Sequence, residues 1–147
     1  MTQVLTITLN PAIDQTIPVQ KLIPGEVHRA TGHSSTPGGK GIGVSIILAS
    51  LGVRTTATGW LGADNDSLFV QAFERNGIKD AMVRLPGNTR TNVKIVDNEA
   101  GESTDVNLPG IKLDAGEQAK DELILAERIE ALARPGDWAE PDRKSVV

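Results

Sequence analysis

The chain has 147 residues, 39% of them hydrophobic and 23% charged, enough for one domain with a real core or for a piece of a larger one. A net charge of −4 and only 3% aromatics provide neither a basic field nor stacking platforms for nucleic acid, and no apolar run approaches the roughly 20 residues of a membrane span. With no cysteine, disulfides and thiolate metal sites are excluded.

The first ten residues alternate without a charged run, unlike a secretion leader, and the absence of cysteine fits a cytoplasmic location. Within them Val4–Leu9 reads as a strand, because Leu5, Ile7 and Leu9 alternate with Thr6 and Thr8. Asn10–Pro11 stops it, and Asp14 falls just beyond the strand's C-terminal end, where open α/β sheets place ligand groups. A plain turn residue is the other reading of Asp14. The pattern predicts short strands at Ile13–Val19 and Val27–His33 about a turn at Pro24–Gly25, too polar for the centre of a parallel sheet. His28 and His33 lie in that polar stretch and read as solvent-facing rather than as metal ligands.

Thr36–Pro37–Gly38–Gly39–Lys40–Gly41–Ile42–Gly43 follows, a side-chain-poor loop feeding an apolar helix that runs to about Leu51 and stops at Gly52. Free N–H groups at a helix start, with Lys40 beside them, make a ready anion site; a simple turn before a helix is the alternative. The spacing matches neither a Walker A loop nor a Rossmann fingerprint. Ile42, Ile46 and Ala49 line one side and Val44, Leu48 and Leu51 another, which predicts a buried helix.

Arg54–Trp60 predicts a strand, and a helix follows that is capped by Asp64 or Asn65, carries Phe69, Ala72 and Phe73 on one face, and ends at Gly77. Ala81–Leu85 predicts another strand, and the alternation argues for a parallel α/β sheet. Thr91–Asp97 and Ser103–Leu108 then read as a hairpin. On its first strand Arg90, Asn92 and Lys94 share a face, two cations and an amide suited to phosphate oxygens, or else merely a solvated face. Asp105 and Asn107 share a face on the second strand and can hydrogen-bond hydroxyls. Asp114–Arg134 predicts an amphipathic packing helix with an apolar stripe of Leu125, Ile129 and Leu132. A strand starting at Asp137–Trp138–Ala139 is expected to stop at the charged, proline-broken Glu140–Lys144.

Several of these motifs occur together in one order. Thr8–Leu9–Asn10–Pro11–Ala12–Ile13–Asp14, Pro37–Gly38–Gly39–Lys40–Gly41–Ile42, Leu51–Gly52, Gly59 to Gly62, Thr89–Arg90–Thr91–Asn92–Val93–Lys94–Ile95 and Asn107–Leu108–Pro109–Gly110 are all present. Over about residues 4–139 the chain resembles the PfkB (ribokinase-like) carbohydrate kinases, within them the 1-phosphofructokinase and tagatose-6-phosphate kinase branch.

The resemblance implies a Rossmann-like α/β ribokinase fold, a mostly parallel sheet flanked by helices, with a small β-sheet lid built from strands within residues 13–35 and 90–108. It implies ATP-dependent phosphorylation of a ketohexose phosphate with Mg²⁺, foremost fructose 1-phosphate, with tagatose-6-phosphate or 6-phosphofructokinase activity as alternatives. The residues matching the family's sugar-phosphate site are Asp14, Gly38, Gly39, Lys40, Arg90, Asn92, Lys94 and Asn107. Homodimers pairing through the lid are implied for a full-length protein. Gly43 stands where the family pattern has Asn. The family's later Ser-Gly-Ser-Leu-Pro and Gly-Ala-Gly-Asp segments, the second with the catalytic Asp, do not occur in these 147 residues. The expectation is therefore an N-terminal half at 1–139 with a non-family tail at 140–147, catalytically inactive alone. A non-catalytic sugar-phosphate-binding module and an inert fragment remain the alternatives.

Overall fold

The computed structural model describes residues 3–113 and 115–141. Their backbone forms β1 (Val4–Thr8), β2 (Ala12–Val19), β3 (Ser34–Gly38), α1 (Lys40–Ser50), β4 (Thr55–Gly62), a 3₁₀ turn (Ala63–Asn65) and α2 (Ser67–Asn76). β5 (Lys79–Asp80), β6 (Val83–Leu85), β7 (Thr91–Asp97), β8 (Glu102–Asn107), α3 (Ala115–Leu132) and β9 (Trp138–Pro141) complete the order.

These strands make two sheets. The main sheet is parallel, in the order β5-β4-β1-β9, with β6 also beside β4. Along β4 the pleat sends Ala57 and Leu61 to one face and Trp60 to the other. The first face packs Ile42 of α1, Phe69 and Phe73 of α2, Ile78 and Met82; the second packs Val83, Leu85 and Leu125 of α3. Helices on both faces are what a parallel sheet requires, since neither face can be left to water. Two buried threonines in its central strands find partners: the Thr6 and Ser45 hydroxyls lie 2.6 Å apart, and Thr58 Oγ1 donates to the Ala81 carbonyl.

The lid is a four-stranded sheet in the order β3-β2-β7-β8, parallel only between β2 and β7. Its hairpin turn is organised by Asp97, whose carboxylate accepts the amides of Leu22, Glu99 and Ala100 at 2.9–3.0 Å. Those amides, Ala100 and Leu22 foremost, outweigh desolvation and hold its pKa below the ordinary 3.8.

Several expectations shift. Residues 27–33 are not a strand: Val27 is 91% exposed and has no apolar surface to cover. The partner of β2 is instead Ser34–Gly38, where Gly38 faces Ala12 in register. The His28 ring lies 3.1 Å from the Ile23 amide and 2.9 Å from the Ile23 carbonyl, closing a loop. Helix α1 is not buried all round; Ile47 on it and Leu51 just past its end are 62% and 72% exposed. The cap of α2 is Asp66 rather than Asp64 or Asn65, and its carboxylate takes the Arg84 guanidinium at 3.0 Å.

The strand expected at Ala81–Leu85 is shortened to Val83–Leu85, because Asp80 Oδ1 accepts the Met82 amide and turns the chain between β5 and β6. Burial works against the Asp80 carboxylate, but Arg84 and the Met82 amide more than offset it and lower its pKa. β9 extends past the predicted stop, with Glu140 and Pro141 in register beside Thr6 and Ile7. The expected helix start at Asp114 and the rest of the tail, 142–147, fall outside the described residues.

Candidate functional site

Strand β1 has β4 on one side and β9 on the other. The connections to them run over opposite faces through α1 and α3, so the carboxyl end of β1 is a topological switch point, where a crevice opens. The chain leaves that end as Asn10–Asp14 and enters the lid. There it meets the start of α1 and the start of β7 around a polar cavity of about 460 Å³. Asn10, Ala12, Asp14, Pro37, Gly38, Gly39, Lys40, Gly43, Arg90 and Asn92 line it.

The glycines let backbone come close. A Cβ on Gly38 would overlap the Asp14 carboxylate, and one on Gly39 would meet Thr8 Cγ2 at 2.7 Å. Gly39 is the residue before α1, at φ +126°, a conformation that favours glycine. The first turn of α1 has neither a side-chain cap nor an acidic residue, so its amides and the exposed Lys40 give this wall a positive character. Lys40 joins none of the ion pairs among the described residues.

Opposite stand the lid strands. Asp14 and Asn92 are in register on β2 and β7, and Asn92 Nδ2 donates to Asp14 Oδ1 at 3.0 Å. That contact orients the exposed carboxylate over the cavity, while Asn92 Oδ1 is buried without a partner. Arg90 is anchored by two carbonyls: its Nε donates to Pro11 O at 3.3 Å and its Nη1 to Leu108 O at 3.2 Å. Two cations and one carboxylate thus face one space, suited to a ligand that carries both an anionic group and hydroxyls.

Of the residues singled out from sequence, Asp14, Gly38, Gly39, Lys40, Arg90 and Asn92 come together at this cavity. Lys94 and Asn107 do not line it. Lys94 pairs with Asp105 at 2.9 Å, directly across the hairpin, and Asn107 is exposed opposite Asn92. Asn10 was read only as a strand stop, yet it also lines a second cavity of about 960 Å³ between the main sheet and α3, whose walls include Leu9, Trp60, Leu125 and Ile129. Its position just past the carboxyl end of β1 was the available signal. Among the described residues no three His, Asp or Glu side chains are grouped to hold a metal ion, and no helix is long and apolar enough to cross a membrane.

Comparisons with known proteins bear on the family and the fold. The model of the pfkB family carbohydrate kinases matches residues 1–134. A 1-phosphofructokinase of Xanthomonas campestris is 49% identical over 111 residues, covering 76% of this chain and 35% of that protein. One from Rhodobacter capsulatus is 42% identical over 136 residues, covering 92% and 42%. The solved phosphofructokinase-2 of Escherichia coli in complex with fructose-6-phosphate matches with TM-score 0.80 at 25% identity, over 100% of this chain and 48% of that one. The chain therefore spans less than half the length of these relatives. It belongs to the pfkB family of carbohydrate kinases.

Proposed function

We propose that this chain is the N-terminal, substrate-binding half of an ATP-dependent ketohexose-phosphate kinase, with fructose 1-phosphate as acceptor and fructose 1,6-bisphosphate as product. The observation that carries this reading is that the Asp14 carboxylate, the Gly38–Lys40 helix start and Arg90 line one cavity. In this reading Asp14, held by Asn92, accepts hydrogen bonds from the sugar hydroxyls. Gly38 and Gly39 let the sugar lie against the backbone. Lys40, Arg90 and the free amides of α1 balance the substrate's own phosphate.

Phosphoryl transfer depends mainly on positioning and on charge stabilisation, and positioning the acceptor is the part these residues perform. ATP supplies the transferred phosphoryl group with Mg²⁺ on its phosphates. Among the described residues no three His, Asp or Glu side chains are grouped to hold a metal ion by themselves. The 147 residues alone should turn over undetectably. A non-catalytic sugar-phosphate-binding role is the second reading, favoured because every residue lining the polar cavity falls within residues 10–92.

Calorimetric titration tests the reading, using fructose 1-phosphate, fructose 6-phosphate, tagatose 6-phosphate and fructose in the absence of nucleotide. Fructose 1-phosphate should bind at least about ten-fold more tightly than fructose, the effect of a phosphate held by charge-assisted hydrogen bonds. Equal binding of fructose and its phosphates would refute the site. Tighter binding of either 6-phosphate would reassign the substrate. Robust ADP release by this chain alone would refute its role as a half.

A further inference from the structure

The lid and the main sheet meet at four crossings of the chain, and one of them is tied down by side chains that never touch the cavity. Thr89, the residue before Arg90, is 2% exposed. Its Oγ1 accepts the Gly62 amide at 2.8 Å, at the very end of β4. Asn65, in the 3₁₀ turn that follows β4, closes a reciprocal pair with the same residue: Thr89 N donates to Asn65 Oδ1 at 2.7 Å, and Asn65 Nδ2 donates to Thr89 O at 2.9 Å. Asp64 N adds a bond to Gly87 O at 3.0 Å. The fit is close, because a Cβ on Gly62 would overlap the backbone of residues 87–89.

The next residue carries the tie into the lid. Arg90 O accepts the Ile13 amide at 2.8 Å, and the Arg90 side chain reaches Pro11 O and Leu108 O on two other crossings. Three crossings are thus gathered at Arg90, and Arg90 is held in place by Thr89. Two residues further, Asn92 sets the Asp14 carboxylate.

We propose that Asn65 and Thr89 are positioning residues that latch the lid to the end of β4, and through Arg90 and Asn92 fix the Asp14 carboxylate over the glycine loop. Neither residue lines the cavity, so their effect on ligand is indirect. The latch makes the lid's orientation, rather than the chemistry of the cavity walls, the quantity that Asn65 and Thr89 control. Its consequence for ligand binding rests on the sugar-phosphate reading above; its consequence for the lid does not.

The test compares Thr89→Val, Thr89→Ser and Asn65→Ala with the unaltered 147-residue chain by amide hydrogen exchange, and by titration with fructose 1-phosphate. In Thr89→Val, exchange at the lid amides of Gln15, Val93 and Ile95 should rise about ten-fold, with Ala57 and Leu61 of β4 unchanged, as expected for a sub-global opening. Affinity for fructose 1-phosphate should fall about five-fold or more, and Thr89→Ser, which keeps the acceptor oxygen, should retain both properties. Uniform acceleration of lid and main-sheet amides would overturn the latch, as would an unchanged lid. If Thr89→Val does not fold, Asn65→Ala decides by the same readout: lid-only acceleration supports the latch, and uniform or absent acceleration overturns it. If the unaltered chain binds no fructose 1-phosphate, the substrate reading fails, while the exchange pattern still decides the latch.

Discussion

Every one of the 8 residues of β4 is buried, whereas every one of the 6 residues of β8 is exposed. The first strand lies inside a sheet covered by helices on both faces, where apolar burial and close packing dominate. The second lies at the edge of an uncovered sheet, held by its ladder to β7 and by polar side chains such as Asp97. The cavity sits on the seam between these two kinds of structure. One wall comes from the packed body and the other from the lid, so substrate contacts depend on how firmly the lid is attached.

The contrast can be broken by mutation. The largest effect is expected for Phe69→Ala, on the fully buried face of α2, which should lower unfolding free energy by about 3–5 kcal/mol in urea denaturation. Val106→Ala on β8 should change it by less than about 0.5 kcal/mol. Comparable losses would show that the lid shares the core's packing after all.

Next in size is Asp14→Ala, which removes the one carboxylate in the cavity wall. Affinity for fructose 1-phosphate should fall about 10- to 100-fold, the usual loss for charge-assisted hydrogen bonds, with little change in the melting temperature. An unchanged affinity would remove Asp14 from the site.

Acid sharpens the comparison on the lid side. The Asp97 pKa is lowered in the folded chain, so its contribution to stability is full above the ordinary carboxylate value of 3.8. It is lost as pH falls through the depressed folded value. A carboxyl-carbon NMR titration should place the Asp97 midpoint below 3.8, and the Leu22 amide should move with it. A midpoint at or above 3.8 would contradict the capped turn.

The smallest effect belongs to Lys94→Ala. Its ion pair with Asp105 is about half exposed on both sides, so stability should change by no more than about 1 kcal/mol. Affinity for fructose 1-phosphate should change less than about two-fold, in contrast to Asp14→Ala. A ten-fold loss would restore Lys94 to the site.

The elements that could be read from sequence are those whose partners are local or whose pattern is periodic. β1, α2 and the hairpin of β7 and β8 follow from alternation, from the Phe69/Phe73 spacing and from the turn at residues 98–101. Asp14 and the glycine loop were visible because a carboxylate and free helix amides stand just past a strand end. β3 was misplaced because its position is set by how Gly38 fits beside Asp14, a contact between segments. That Lys94 pairs with Asp105 rather than lining the cavity was not legible, because the pairing depends on hairpin register, which cannot be read from one strand alone. The Asn65–Thr89 pair was invisible for the same reason, two polar residues 24 positions apart in sequence that only the fold brings together.

The most direct test of the substrate site is an amide NMR map of the 147-residue chain with and without fructose 1-phosphate. Shifts concentrated at Asp14, Gly38–Gly43, Arg90 and Asn92, and absent in Asp14→Ala, are the predicted result. Shifts scattered over β5, α2 and α3, or none at saturating ligand, would contradict a sugar-phosphate site at the seam of the two sheets.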